Sequence, residues 1–274
     1  MPELPEVETT RRGLEPHVVG RTVKSLVVRN PNLRWPVPAE LAAAISGKKL
    51  KAIERRGKYL LLHFANGTAL WHLGMSGSLR VLQGELLKQP AAVHDHVDLV
   101  LSGGVAVRFT DPRRFGALLW TTEPLAEHPL LAHLGPEPLT DAFNANYLYA
   151  KTRKRSQPIK TLIMDSKVVV GVGNIYANEA LFAAGIRPGT GAGRLSKPKI
   201  AALVEEIKKV LASAITQGGT TLRDFTGGDG KPGYFAQRLS VYGRGGKPCR
   251  ICSQPLVEVR MGNRSTVYCR QCQK

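Results

Sequence analysis

Short apolar runs alternate with polar positions from Thr22 to Trp120, a period near two that predicts β-strands. Asn66-Gly67 separates the run Tyr59–Phe64 from Thr68–Leu73, and Ser102-Gly103-Gly104 separates two valine-rich runs; each predicts a hairpin. This half reads as an antiparallel sandwich or barrel. A helix precedes it, from Leu4 to His17. Pro5 sits at a first helical position, Glu6 and Glu8 suit the positive end of the helix dipole, and Gly20 follows as a stop. After about residue 122 the character changes. Pro124, Pro129, Pro136 and Pro138 punctuate a linker, and beyond it the period lengthens to that of a helix. Ile200, Leu203, Val204, Ile207, Val210, Leu211, Ala214 and Ile215 step by three and four between Ser196 as cap and Gly218 as stop. A second helix is predicted from Asn174 to Ala184, ending at Gly185, and residues 226–233 form a glycine-rich loop.

All four cysteines, Cys249, Cys252, Cys269 and Cys272, fall at the end of the chain in the pattern C-x2-C-x16-C-x2-C. Each close pair can present two thiolates from one tight turn, and the gap is long enough for a hairpin that returns the second pair to the first. Four thiolates make a closed structural zinc site; disulfides or an iron–sulfur centre are the alternatives. Val257–Arg260 and Ser265–Tyr268 read as the strands, with Met261–Arg264 as the turn. The segment is too small to build a core alone, so the metal supplies most of its folding free energy. The class expected is therefore α+β and multidomain: an N-terminal antiparallel β-sandwich with a leading helix over 1–122, a hinge over 123–139, a helical domain over 140–239, and a zinc-finger β-hairpin over 240–274.

Charge narrows the partners. Thirty-nine Lys and Arg against twenty-one Asp and Glu give +18 over 274 residues, and the isoelectric point is about 10.1. Such a chain attracts polyanions, nucleic acid first and an anionic membrane surface second. The uncharged stretch between Lys167 and Glu179 is too short to span a bilayer, and no basic amphipathic helix rich in exposed apolar residues favours docking on one. The acidic, proline-rich start is not that of a signal peptide. A cytosolic setting is expected, where cysteines are rarely paired as disulfides.

Several short segments carry candidate chemistry. Removal of Met1 would expose the secondary amine of Pro2; an α-amine ordinarily has a pKa near 7.7–8.0, so a neutral fraction exists that can attack an aldehyde-like carbon. Glu3 and Glu6 stand beside it as carboxyl groups able to move protons. Lys58 follows Gly57 at the start of a strand. Lys151-Thr152-Arg153-Lys154-Arg155 holds four cations in five residues, a phosphate-binding composition. Asp111-Pro112-Arg113-Arg114-Phe115-Gly116 puts two guanidinium groups and a ring on a turn, suited to a base edge and to a gap in a base stack. Met75 is flanked by glycines in Trp71–Gly77, and Gly171-Val172-Gly173-Asn174 places glycines before a helix start, where an anion can approach.

Taken together these segments resemble the bacterial formamidopyrimidine-DNA glycosylases over essentially the whole chain. The likeness rests on Pro2-Glu3-Leu4-Pro5-Glu6, His72–Gly77, Asp111–Gly116, His133–Leu139, Gly171–Tyr176 and the four-cysteine finger. Leu4 stands where the sibling endonuclease VIII usually carries glycine, which favours the oxidised-purine branch. The resemblance implies base-excision repair of oxidised purines in duplex DNA, as 8-oxoguanine or formamidopyrimidines, by a bifunctional glycosylase and abasic-site lyase. Pro2 would form the Schiff base, with Glu3 and Glu6 in proton transfer. Lys58 would serve β-elimination and Arg264 δ-elimination. Met75, Arg113 and Phe115 would fill the gap left by the flipped base; Arg114, His94, Lys154, Lys160 and Asn174 would bind DNA. The loop over 220–233 would close on the base, the helical part would be a helix–two-turn–helix, and one zinc would be structural only. A monomer in the bacterial cytoplasm, associated with the nucleoid, is expected. A non-catalytic zinc-finger DNA-binding protein, or an RNA-associated one, explains the charge equally well but gives no reason for the Pro-Glu-x-Pro-Glu start.

Overall fold

A computed structural model of the chain describes residues 2–219 and 239–274. It divides into two compact units, the first holding the residues up to Ala132 with 217–219, the second those from His133 to Thr216 with 239–274. The zinc hairpin thus shares a compact unit with the helices. The glycine-rich loop over 226–233, and most of the 220–233 segment assigned to base closure, lie outside the described residues.

The first unit starts with helix α1 (Leu4–Val18). Its N-cap is Glu3, whose backbone N–H donates to Glu6 Oε2 at 2.9 Å in a capping-box arrangement. Strand β1 (Val23–Val28) and the short helix α2 (Leu41–Ile45) follow. Seven further strands come next: β2 (Ala52–Arg56), β3 (Tyr59–Phe64), β4 (Gly67–His72), β5 (Ser78–Gln83), β6 (Asp95–Leu101), β7 (Val105–Thr110) and β8 (Ala117–Thr121). They make two four-stranded antiparallel sheets, β1-β6-β7-β5 and β2-β3-β4-β8. One core joins them: Val97, Leu99, Val107 and Phe109 of the first sheet pack with Leu60, Leu62, Trp71 and Leu118 of the second and with Val7, Leu14 and Val18 of α1. The expected sandwich and both expected hairpins are present. Glu8 holds α1 to β2 through Arg55 at 3.1 Å while also pairing with Arg11 and Arg12. Burial disfavours its charge, but these guanidinium bonds outweigh that and lower its pKa.

The second unit carries α3 (Ala145–Thr152), α4 (Ile159–Ile163), α5 (Asn174–Ala183) and α6 (Lys197–Thr216). The apolar stripe of α6 is buried as its spacing requires, from Ile200 to Ile215, with Val210 at the margin. The hairpin is β9 (Val257–Met261) and β10 (Arg264–Tyr268), each longer than expected. Met261 and Arg264 are a paired strand position rather than turn residues. Gly262 and Asn263 alone turn the chain, both at positive φ, which is the two-residue turn that matches strand twist. Among the described residues no helix is long and apolar enough to cross a membrane.

Candidate nucleic-acid interface and zinc centre

Strand register in the first unit brings separate sequence segments to common strand ends. Tyr59 and Ala117 both pair with His72, so the Gly57-Lys58 turn, the His72–Gly77 turn and the Asp111–Gly116 turn meet at one end of the sheet β2-β3-β4-β8. In the other sheet Thr110 pairs with both Ser78 and Asp95, so the same two loops leave and enter there, next to His94. Asp111 also donates its backbone N–H to the His94 carbonyl at 3.0 Å. His94, Arg113, Arg114 and Phe115 are exposed, Met75 and Lys58 are half-buried, and the Arg113 guanidinium lies 5.0 Å from the Phe115 ring centre. Pro2 and Glu3 are buried at the start of α1, as is Glu6, whose carboxylate caps that helix.

A buried carboxylate organises the two loops. Asp111 is fully buried. Its Oδ1 accepts from the Ser76 hydroxyl at 2.6 Å and from the Arg113 backbone N–H at 3.3 Å, and its Oδ2 accepts from Gly116 N–H at 2.8 Å. The loops also touch directly: a Cβ on Gly74 would lie 2.4 Å from the Gly116 nitrogen, so only glycine permits that approach. Arg114 is held at φ 56° in the turn so formed.

His72 sits beside the Lys58 turn, its ring 4.8 Å from that of Tyr59. Burial first, then the charges of Lys58 and Arg34, lower its pKa from 6.5 to about 4. The ring is therefore neutral at physiological pH. Its Nδ1 accepts from Gly74 N–H at 3.0 Å, which leaves the proton on Nε2.

In the second unit a buried polar network ties the helices to the hairpin. Lys160 is 1% exposed. Its ammonium donates to Asn174 Oδ1 at 2.6 Å, Thr266 Oγ1 at 2.6 Å and the Ser265 carbonyl at 3.0 Å. Asn174 Nδ2 donates to the same carbonyl at 3.0 Å, and Asn178 Oδ1 accepts from Val267 N–H at 2.8 Å. Lys160 is thus a strut inside the protein and not the DNA contact expected of it: an ammonium without solvent exposure cannot reach a phosphate. Its next neighbour in this network, Asn174, is nearly as enclosed. Arg264, which precedes Ser265, and Lys154, at φ 60°, are exposed.

The four cysteine sulfurs lie within 4.8 Å of one another. Cys249 and Cys272 are 3.9 Å apart, and Cys252 and Cys269 3.4 Å. Four sulfurs at about 2.3 Å from one tetrahedral zinc would be about 3.8 Å apart, so the set fits a single structural ion. The fully thiolate donor set leaves no position for substrate, so the ion shapes the hairpin. Behind it Phe182, Val241, Leu256 and Val267 form a small apolar cluster.

Family models cover nearly all of this architecture. The formamidopyrimidine-DNA glycosylase N-terminal domain matches residues 1–118, the H2TH domain of the same enzymes 134–226, and the zinc finger found in FPG and IleRS 246–274. The chain belongs to the formamidopyrimidine-DNA glycosylase family. The formamidopyrimidine-DNA glycosylase of Saccharophagus degradans is 65% identical to it over 274 residues, the whole of both chains. A mutant of the Lactococcus lactis Fpg, solved with Fapy-dG-containing DNA, has a TM-score of 0.92 at 31% identity, covering 100% of both chains. The same organism's Fpg with abasic-site DNA has a TM-score of 0.91 at 31% identity, covering 99% of each.

For a glycosylase of this family, sequence reasoning passed over three groups the structure makes prominent. Asp111 stands in the sequence only as part of the Asp111–Gly116 turn, and its burial and hydrogen bonds alone mark it as a hub. Ser76 gave no signal. Glu179 lies inside a helix, yet its carboxylate accepts the backbone N–H groups of Ser240, Val241 and Tyr242 at 2.7–2.9 Å. Burial raises its pKa despite those three donors.

Proposed function

We propose that this chain excises damaged purines, 8-oxoguanine and formamidopyrimidines, from duplex DNA and then cuts the strand at the resulting abasic site. The observation that carries the reading is the gathering of Lys58, Met75, Arg113 and Phe115 at one end of the β-sheets of the first unit. Family membership supports it. The Lactococcus lactis relative was solved on DNA carrying Fapy-dG and on DNA carrying an abasic site.

In this mechanism the target nucleotide leaves the stack, at a cost of a few kcal/mol. Met75 and Phe115 fill the gap, and Arg113 faces the orphaned cytosine. The neutral amine of Pro2, freed by loss of Met1, attacks C1′ as the glycosidic bond breaks. Glu3 moves the proton that the sugar and departing base require, and Glu6 fixes Glu3 by capping its backbone N–H. The iminium so formed withdraws electrons, which acidifies C2′–H. Loss of that proton expels the 3′ oxygen, with Lys58 serving this step, and Arg264 assists the second elimination at the 5′ side. Arg114, His94 and Lys154 hold backbone phosphates. Asn174 and Lys160 act from behind, holding β10 and with it Arg264. The proposed organisation is a catalytic region over 1–122, a hinge over 123–139, a helix–two-turn–helix region over 140–239 and the finger over 240–274, working as a monomer on the bacterial chromosome.

Borohydride reduction during reaction with an 8-oxoguanine:cytosine duplex tests this. A covalent adduct mapped to Pro2 is expected. Pro2→Gly should keep DNA binding and lose most strand cleavage; unchanged cleavage in that variant removes Pro2 from the mechanism.

A further inference from the structure

The cationic segment 151–155 divides its charges between two tasks. Arg153 is structural: it donates to the Leu195 carbonyl at 2.9 Å and its guanidinium stacks 3.9 Å from the centre of the Tyr149 ring. Lys151 lies over Tyr147. Lys154 and Arg155 instead line a pocket of about 500 Å³, together with Ser156, Arg194 and three glycines of the 189–193 loop. No carboxylate, aromatic or aliphatic side chain belongs to that lining. Lys154, Arg155 and Arg194 are all exposed, and none of them pairs with a carboxylate among the described residues.

The pocket is built rather than accidental. Gly193 N–H donates to the Arg155 carbonyl at 2.8 Å and Ala192 N–H to the Gln157 carbonyl at 2.9 Å, so two segments are zipped into one wall. A Cβ at Gly193 would stand 2.9 Å from the Arg155 carbonyl oxygen, and only glycine lets the segments meet. Lys154 is held in the left-handed region, at φ 60°, which costs a non-glycine residue about 1–2 kcal/mol. Lys154 and Arg155 on this turn line the same pocket as Arg194.

Resting on the DNA reading above, we infer that Arg155, Ser156 and Arg194, with Lys154, form an anchoring subsite for a backbone phosphate of the bound duplex. Two guanidinium groups, an ammonium and a hydroxyl are donors that match the several oxygens of a phosphate. The volume exceeds that of a lone phosphate ion and accommodates a sugar–phosphate repeat. The missing aromatic lining leaves nothing for a base to stack on, so the subsite holds DNA without reading its sequence.

Salt dependence of binding to an abasic-analogue duplex tests the inference. Each phosphate contact contributes about 0.9 to the slope of log K against log salt. The double variant Arg155→Gln/Arg194→Gln should lower the slope by about 1, the share of one phosphate contact, while Arg155→Lys/Arg194→Lys keeps most of it. Replacing single phosphates by methylphosphonates should reveal one position that weakens the wild type about tenfold and the glutamine variant less than twofold. An unchanged slope, or equal effects in both proteins at every position, overturns the subsite. So does protection of the pocket by millimolar inorganic phosphate with no change in DNA binding, since the ligand is then a free anion. If the wild type itself neither binds nor cleaves lesion DNA, it is the functional reading that fails.

Discussion

Replacing Asp111 by Asn perturbs one atom's chemistry at nearly constant volume, and its consequences can be worked from three hydrogen bonds. The carboxylate accepts from Ser76 Oγ, from Arg113 N–H and from Gly116 N–H. An amide offers only one oxygen. If its nitrogen faces Gly116, two N–H donors confront each other across 2.8 Å. If it faces Ser76, the hydroxyl can rotate to accept, but Arg113 N–H keeps only its bond to Ser76 Oγ at 3.2 Å and loses the charged acceptor. Hydrogen bonds to a charged acceptor contribute about 1.5–3 kcal/mol, and a stranded buried donor costs about 1–3 kcal/mol. A net loss of roughly 2–4 kcal/mol follows, concentrated in the two loops rather than spread through the sandwich. The loops carry Met75, Arg113 and Phe115, so the residues proposed to replace the flipped base should lose their common footing. Single-turnover excision of 8-oxoguanine opposite cytosine should fall at least tenfold. Strand cleavage at a preformed abasic site, where no base must be extruded, should fall much less. Equal losses on both substrates, or no loss on either, would refute the claim that Asp111 acts through these loops.

Three further outcomes are expected. His72 has a folded pKa of about 4, below its ordinary 6.5, so the unfolded chain takes up a proton that the folded chain refuses; stability therefore declines as pH falls from about 6.5 to about 4, by on the order of 3 kcal/mol, and denaturant titrations should show His72→Asn with a flatter acid limb. Lys160→Met strips a buried cation from Asn174, Ser265 and Thr266, and should destabilise the protein by roughly 3 kcal/mol in urea titration while slowing the step assigned to Arg264 more than base excision. Removing zinc with a strong chelator should unfold the hairpin, since about 10–16 kcal/mol of its folding comes from the metal; binding to lesion DNA should drop by orders of magnitude and return on adding zinc, and binding unaffected by complete metal removal would dismiss the finger as a DNA contact.

Wherever the code is local, the chain could be read directly. Period-two runs between glycine turns specified the two hairpins, and the three-and-four spacing from Ile200 to Ile215 specified the long helix. The paired cysteines announced the metal, because the ligand set itself is written in short spacings. The hairpin turn was misjudged only in length, because Met261 and Arg264 gain strand pairing from each other. Lys160 was misread for a different reason. A lysine in a basic protein looks like a surface cation, and nothing nearby in sequence shows that its acceptors wait at Ser265 and Thr266, about a hundred residues on.

The sequence by itself determined the elements and the zinc ligands, since each depends on neighbours a few positions away. Tertiary structure alone decided which polar groups lie at the surface and which are buried as internal struts. Asp111 between two loops, Lys160 beneath β10 and Glu179 on the Ser240–Tyr242 backbone are buried polar groups. Their roles are fixed by whichever distant donors or acceptors satisfy them, because a buried polar group without a partner is too costly to persist. The pocket at Arg155 and Arg194 arises likewise, from a cationic segment and a glycine-rich one that meet only when the chain is folded.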